Sequence, residues 1–245
     1  PPTPPSRTPL GVPTGVSARF DNIGANNQTN VAVTAVIKNP QGVVVYRDTE
    51  ILNNWLSGQI RDTTFSDYTP TQKGLYQVCA ISLLGSDQLH INDTVCTIMD
   101  VRYEADVKAV AVLDPEDDGE KPEGKRFQVK GIFENVGVRD LFDIRARVEI
   151  RRCSDNGLVY RADSLPGIPE LNIDEGPKVF GFPTFQGTFD TKKLAPGCYK
   201  VCVNSILSDD GDRLNDTACT FFSVIPKLTG NIEVGVGRRF RTISA

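Results

Sequence analysis

Short segments in which apolar and polar residues alternate recur along the whole chain. The clearest are residues 31–37 and 144–150, where every second residue is apolar, and in the second segment the intervening residues are Arg145, Arg147 and Glu149. A period of two is the pattern of a half-buried β-strand whose polar side chains face water. No helical period continues for more than about one turn. The pattern therefore predicts an all-β protein.

Further strand candidates are separated by Gly, Pro, Asn and Asp, which are typical of turns. In the first half of the chain they lie near residues 45–47, 50–56, 60–66, 74–83 and 93–101, and the second half has counterparts. The second half also opens with an additional candidate at 106–112, ahead of the acidic loop 114–120. About seven short strands in each half predict two tandem antiparallel immunoglobulin-like β-sandwiches.

The two halves form a tandem repeat. Residues 74–97 align without a gap on 197–220 at a constant offset of 123, and the strands upstream repeat as well. The repeat divides the chain into a proline-rich N-terminal segment (1–14), a first sandwich (15–103), a second sandwich (104–226) and a C-terminal segment (227–245) that is an extended strand or tail, or the start of a further domain. The N-terminal segment contains no alternating run, so we expect the first sandwich to lack its first strand.

Cysteines recur at the same spacing in both halves. Cys79 and Cys96 are 17 residues apart, as are Cys202 and Cys219. The chain has no Cys-x-x-Cys motif and only one histidine, His90, which favours disulfides over a zinc site. Disulfides in turn predict an oxidising, extracellular location.

Strand alternation places the first of these disulfides on an outer face. Cys79 shares a face with Gln77, and a hairpin centred near residues 86–87 brings it opposite Cys96. The second repeat has the equivalent pair. The remaining cysteines, Cys153 and Cys198, have no equivalent in the first repeat and form a third predicted pair.

The charge and the motifs of the chain exclude several functions. The formal net charge is −4, and the basic residues are scattered except for Arg238, Arg239 and Arg241, so we expect no nucleic-acid partner. No apolar run approaches the roughly 20 residues that a membrane span needs. We find no phosphate-binding loop, paired-carboxylate motif or metal cluster, and therefore expect no catalytic role and no cofactor.

Strand and turn motifs give the chain a resemblance to a known family. Phe20-Asp-Asn-Ile-Gly24 and Phe133-Glu-Asn-Val-Gly137 lead into alternating strands, and Gly-x-Tyr-x-Val followed by Asn-Asp-Thr comes later in each repeat. In this the chain resembles the CARDB-type sandwich domains of secreted bacterial surface proteins, notably of the Bacteroidota. The resemblance implies an adhesion-related surface protein. The cysteines depart from it, because most such domains lack them.

One acidic loop is a weak candidate for binding calcium. Asp209, Asp210 and Asp212 could offer oxygen ligands, but the loop falls short of the EF-hand pattern and the first repeat keeps only Asp87 there. We favour a solvated hairpin turn for this loop, and the same interpretation for 114–120.

Several positions match glycosylation patterns. Asn27, Asn92 and Asn215 are formal N-glycosylation acceptors, while Thr94 and Thr217 lie in a pattern that resembles the O-glycosylation motif of the Bacteroidota, as do residues 62–64 and 163–165. The alternative, which we favour, is that Asn-Asp-Thr caps a turn before the last strand of each repeat.

The unpaired strand at the C-terminus suggests how copies could associate. Ile232, Val234 and Val236 alternate with polar residues or glycine, and the first sandwich has an unfilled edge near residues 16–20. Exposed edges recruit strands. We therefore predict an extracellular subunit of a surface fibre, filament or adhesin stalk, which polymerises head-to-tail by strand donation.

The alternative hypothesis makes the two sandwiches accessory spacers. Residues 234–245 also resemble the entry of a parallel β-helix of the pectin-lyase type. In this case the neighbouring domains belong to a larger secreted enzyme or carbohydrate-binding protein.

Overall fold

The computed structural model describes residues 6–164, 166–182 and 189–227. Within them the protein is all-β apart from two 3₁₀ turns, His90–Asn92 and Thr191–Lys193, and no helix could cross a membrane. Two separate hydrophobic cores are present, one in each half. The fold is therefore two tandem immunoglobulin-like β-sandwiches, as predicted. The predicted strand around Ile232, Val234 and Val236 lies outside the described residues.

Seven strands form the first sandwich. They are β1 (Ser6–Pro9), β2 (Thr14–Asp21), β3 (Val31–Lys38), β4 (Val44–Leu52), β5 (Ile60–Tyr68), β6 (Gly74–Leu83) and β7 (Thr94–Arg102). One sheet has the order β1-β7-β6-β3-β4, and β2 and β5 form the facing sheet. Val33, Ile37 and Tyr76 of the larger sheet are fully buried against the smaller one. β4 is one continuous strand where the sequence predicted two.

The second sandwich has more and shorter strands. They are β8 (Val107–Asp114), β9 (Gly119–Pro122), β10 (Arg126–Phe127), β11 (Lys130–Asn135), β12 (Leu141–Arg152), β13 (Leu158–Asp163), β14 (Ile168–Leu171), β15 (Lys178–Gly181), β16 (Phe189–Asp190), β17 (Gly197–Ile206) and β18 (Thr217–Ile225). One sheet has the order β13-β12-β17-β18-β9 with β14 also on β12, a second has the order β15-β11-β8, and β10 pairs with β16.

Three disulfides join neighbouring strands. Cys79 lies directly opposite Cys96, and Cys202 opposite Cys219, across the β6–β7 and β17–β18 hairpins. The third disulfide, Cys153–Cys198, ties the end of β12 to the start of β17. Cys79 lies beside Val36 of β3, away from the core, but both residues are buried. The outer face is thus covered at Cys79, whereas Cys96 of the same disulfide is exposed.

Each sandwich adds one parallel strand pair to the antiparallel pattern. β1 runs parallel to β7, and β9 runs parallel to β18. The sequence did not predict β1, because it lies in the proline-rich segment and is four residues long. β8 is different: within the described residues no strand of the first sandwich takes its place, and β2 has only β5 as a neighbour.

Candidate functional site: an open groove in the first sandwich

In the second sandwich, β8 closes the edge of the smaller sheet. It pairs antiparallel with β11, with Val107 opposite Asn135 at one end and Asp114 opposite Lys130 at the other. Val107 is 0% and Ala109 is 6% exposed, and both belong to the hydrophobic core. β8 therefore fills a groove between β11 and the β17–β18 hairpin.

Three groups of that hairpin hold the backbone of β8. The N–H of Val107 donates to Asp210 Oδ2 at 2.8 Å, and the hydroxyl of Ser205 lies 3.1 Å from the carbonyl oxygen of Val107. The N–H of Ala109 donates to the carbonyl oxygen of Asn215 at 3.0 Å. Contacts to the main chain of this kind hold any strand of suitable shape, whatever its side chains.

The first sandwich keeps all three groups. Ser82, Asp87 and Asn92 occupy the positions of Ser205, Asp210 and Asn215 at the constant offset of 123. The two loops also have the same local geometry. Asp87 Oδ1 accepts the N–H of Leu89 at 2.7 Å, and Asp210 Oδ1 accepts the N–H two residues further on at 2.9 Å.

Within the part of the chain that the structure describes, no strand binds these groups. Among residues 6–164, 166–182 and 189–227, no hydrogen-bond donor contacts Asp87 Oδ2 or the carbonyl oxygen of Asn92. A cleft of about 740 Å³ lies there instead, lined by Phe20 and Asn22, by Trp55, and by the hairpin residues Ser82 and Asp87. We call this cleft between β2 and the β6–β7 hairpin the acceptor groove.

Apolar side chains around the acceptor groove remain uncovered. Ile23 is 69% exposed and Val95 is 66% exposed. Their counterparts in the second sandwich, Val136 and Ala218, are half-buried. The difference follows from β8 and its preceding linker, which cover that end of the second sandwich.

The open edge also presents main-chain groups. The N–H of Asn22 donates to the carbonyl of Gln59 on the β5 side at 3.1 Å. Because successive residues of a strand point their main-chain groups to opposite edges, those of Asp21 and Ile23 face the groove. In the second sandwich the counterpart of Ile23 donates its N–H to the carbonyl of Asp106, just before β8, at 3.0 Å.

A glycine in each sandwich marks the path of the incoming chain. A Cβ at Gly137 would lie 2.9 Å from the carbonyl oxygen of Glu104 and 3.0 Å from the nitrogen of Asp106, so the linker requires glycine there. Gly24 occupies the same position in the first sandwich. There a Cβ would meet only Asn22 Oδ1, at 3.3 Å. The first sandwich thus keeps a glycine where the second admits its linker, although a Cβ there would press on a side chain of its own sandwich and not on a linker backbone.

One carboxyl group in each of the two hairpin loops has a shifted pKa. In the second sandwich, burial raises the pKa of Asp216 to about 6. Its counterpart Asp93 has a pKa below the usual range, because His90 and Ser82 hydrogen-bond to it. Asp93 Oδ1 lies 2.9 Å from the hydroxyl of Ser82. The carboxylate beside the open groove is therefore stabilised, whereas the covered one is not.

The carboxylates considered for calcium bind groups of the protein. Asp209 pairs with Arg139, Asp212 pairs with Lys73, and Asp210 accepts the N–H of Val107. Within the described part of the chain no three metal-ligating side chains come together. The loop instead fastens β8 and the linker to the second sandwich.

The glycosylation candidates differ in their exposure. Asn27, Asn92, Thr94 and Thr217 are exposed, whereas Asn215 is half-buried and donates from Nδ2 to Asp106 Oδ1 at 2.9 Å. Ser164, in the motif at 163–165, is fully buried and accepts the N–H of Ala146 at 2.8 Å. The Ser164 hydroxyl thus binds the backbone inside the fold.

Comparison with known proteins assigns no family. No protein-family model and no curated protein matches the chain. Among solved structures, a CARDB domain from Pyrococcus furiosus in complex with di-metal ions is 15% identical, with a TM-score of 0.34, and the match covers 49% of this chain and 89% of that one.

Two calcium-binding domains are also similar. CBD12 of CALX1.1 is 8% identical with a TM-score of 0.35, and covers 86% of this chain and 93% of its own. CBD12 from CALX1.2 is 11% identical with a TM-score of 0.38, and the match covers 90% of this chain and 97% of that one. At such values these likenesses carry no argument about what this chain binds.

Sequence reasoning located the open edge but missed the groups that serve it. The predicted edge near residues 16–20 is β2. In the sequence, Ser82 lies in a strand candidate and Asp87, Asn92 and Gly24 lie in turns, and none of them was predicted to hold a strand. The signal that could have revealed them is their recurrence in the second repeat, where the equivalent residues hold β8.

Proposed function

We propose that this chain is an extracellular structural subunit, without a catalytic role, whose first sandwich accepts a β-strand from another copy. The observation that supports this most is the acceptor groove. Ser82, Asp87, Asn92 and Gly24 are the counterparts of residues that hold or accommodate β8 and its linker in the second sandwich.

The donor we propose is residues 231–236 of a second copy. Their sequence, Asn-Ile-Glu-Val-Gly-Val, alternates as does Asp-Val-Lys-Ala-Val-Ala at 106–111. The equivalent groove of the second sandwich is already filled by β8. Strand addition supplies affinity through main-chain hydrogen bonds, and the alternating apolar residues select the face that enters the core.

Assembly by this route produces a fibre. The donor and the acceptor are different surfaces, and such head-to-tail contacts form filaments unless the rotation between copies closes a ring. Three disulfides fit a secreted protein of a surface fibre or adhesin stalk, because such bonds persist in oxidising compartments.

Two variants separate the donor from the acceptor. Deletion of residues 228–245 removes the donor and keeps the groove. Gly24→Ala keeps the donor and places a methyl group where the incoming linker passes. We expect each variant alone to be monomeric in light scattering and electron microscopy, and a mixture of the two to form 1:1 dimers.

The matched control is Gly85→Ala in the same sandwich. A Cβ there meets nothing within 4 Å, and its counterpart in the second repeat is Ser208, so a side chain is compatible with a filled groove. The control should assemble like the parent chain. Filaments that persist after the deletion would contradict the proposal, as would a mixture that stays monomeric although both variants are folded.

A second candidate function is that of a spacer in a larger secreted protein. It is favoured by the way β8 is supplied: the chain leaves β7 at Arg102 and enters β8 at Val107 of the next sandwich. Residues 231–236 would then begin a further domain of their own chain. Under this alternative the parent chain, the deletion variant and the mixture all give single elongated particles.

A further inference from the structure

We infer, on the basis of the proposed function, that the joint between two copies repeats the joint between the two sandwiches of one chain, with an apolar contact in place of an ion pair. The surface involved is the β6–β7 loop at Gln88 and Leu89. Its partner is the end of the second sandwich of another copy, at Pro196 and Pro226.

The joint within the chain is built around Lys73 and Tyr103. Lys73 pairs with Asp212 of the β17–β18 loop, and its Nζ lies 5.1 Å from the centre of the Tyr103 ring. A Cβ at Gly211 would lie 2.3 Å from Cγ of Tyr103, so glycine is required beneath the ring. The N–H of Gly211 also donates to the carbonyl of Ala105 in the linker at 2.9 Å.

Each of these residues has a counterpart at the joint between copies. β6 and β17 have ten residues each, and β7 and β18 have nine each, so the positions beside them correspond without a gap. Lys73, directly before β6, corresponds to Pro196, and Tyr103, directly after β7, corresponds to Pro226. On the acceptor side, Gly211 corresponds to Gln88 and Asp212 to Leu89.

The four positions change in a mutually consistent way. The cation and the carboxylate are both replaced, by Pro196 and Leu89, so neither leaves an unpaired charge behind. The large ring of Tyr103 is replaced by the smaller Pro226, while Gly211 is replaced by the larger Gln88. At the joint between copies an apolar contact thus replaces the ion pair, and a small residue above a large one replaces a large ring above a glycine. Both changes suit contact between these two surfaces.

The residues concerned are available for such a contact. Leu89 is 54% exposed, and Gln88, Pro196 and Pro226 are exposed. With Ile232 at the place of Ala109 and Val234 at that of Ala111, the donor keeps the offset of 123 and a linker as long as the internal one. The donor strand then brings the end of the second sandwich onto the β6–β7 loop. Pro196 then meets Leu89, as Lys73 meets Asp212 within the chain.

Charged substitutions can transplant the internal ion pair into the joint between copies. In the mixing assay, Leu89→Asp is introduced into the deletion variant, and Pro196→Lys into the Gly24→Ala variant. We expect each single change to weaken dimer formation by about tenfold, which corresponds to about 1.4 kcal/mol. The two changes together should recover severalfold of that loss, because they recreate the Lys73–Asp212 pair.

Leu89→Lys is the matched control for charge. It should weaken dimer formation as Leu89→Asp does, but Pro196→Lys should not rescue it. Circular dichroism and thermal unfolding establish that each variant is folded, which we expect because both positions are exposed.

The outcomes distinguish this inference from the proposed function. If the unsubstituted pair forms dimers and the charged variants bind with unchanged affinity, or if the double change gives no recovery, the inference is wrong and the proposed function stands. If the unsubstituted pair forms no dimers, the proposed function itself fails.

Discussion

The two sandwiches share one plan and differ at one edge. In the second, β8 covers the groove beside the last hairpin, and in the first no strand of the described residues covers it. The hairpin loop nevertheless has the same geometry in both, since Asp87 and Asp210 each use Oδ1 to fix their own loop. Only Oδ2 of Asp210 serves the strand. The loop beside the groove is therefore shaped by its own hydrogen bond, and does not depend on a neighbouring strand for its form.

The largest expected difference between the sandwiches concerns a matched pair of phenylalanines. Phe133 is 0% exposed, and its counterpart Phe20 is 9% exposed and lines the groove. Phe133→Ala should lower the free energy of unfolding of the second sandwich by about 3–5 kcal/mol. Phe20→Ala should cost the first sandwich less, because part of the ring already borders a cleft.

Urea denaturation can separate these two effects. The single tryptophan, Trp55, lies in the first sandwich and reports its unfolding by fluorescence, while circular dichroism follows both sandwiches. Equal losses from the two substitutions would show that the groove is closed in the isolated chain, which would remove the contrast between the sandwiches.

Disulfides give a difference of intermediate size. Replacing Cys79 and Cys96 by alanine opens a loop with a sequence separation of 17, and replacing Cys153 and Cys198 opens one of 45. In the chain-entropy model these losses are about 3 and about 4 kcal/mol. Urea midpoints of the two double variants should therefore show the larger loss in the second sandwich. The reverse order would indicate that strain or denatured-state structure outweighs loop length.

The smallest effect is a contrast in pKa values. Asp216 has a pKa of about 6, raised by burial, so it contributes stability that is complete below its unfolded pKa of about 4 and is lost as the pH rises through 6. Asp93 has a lowered pKa, so its contribution is present above about 4 and is lost only as the pH falls through its folded pKa. Acidification from pH 7 to pH 5 should therefore stabilise the second sandwich. It should leave the contribution of Asp93 to the stability of the first sandwich unchanged.

Carboxyl ¹³C NMR measures the pKa values of Asp93 and Asp216 directly. The same measurement in the assembled protein provides a second test. A strand in the acceptor groove would cover Asp93 as β8 covers Asp216. We therefore expect the pKa of Asp93 to rise in the 1:1 dimer of the deletion and Gly24→Ala variants. An unchanged pKa for Asp93 in that dimer would mean that the strand binds elsewhere.

Alternation and repetition made most of the fold predictable from sequence. They gave the all-β class and the register of Cys79 against Cys96. They did not predict β1, because the prolines of its segment interrupt the alternating pattern. β1 can form nevertheless, since it pairs with β7 along one edge only. For the strands between β13 and β17, alternation and repetition gave counterparts of the first-half strands but no residue bounds, because turns interrupt the alternation there.

The groove could be predicted from the sequence less well than the fold. Its polar groups come from positions far apart in the chain, such as Asn22 and Asp87, and are brought together only when the two sheets pack. A turn residue that serves a strand looks the same in sequence as one that serves only its own loop. The second sandwich resolved this ambiguity, because there the strand is present.

The parallel pairs β1–β7 and β9–β18 have a mechanical consequence. In the first sandwich the first strand, β1, lies beside the last, β7, and runs in the same direction. In the second sandwich β9 lies beside β18 in the same way, but β8 precedes β9 in the chain. A tensile force along the chain pulls such neighbours in opposite directions along their own axes. All hydrogen bonds between them are then loaded together in shear, whereas strands peeled apart from one end break their bonds in sequence. The first sandwich is thus oriented to resist stretching along the direction in which its neighbours in the chain would pull.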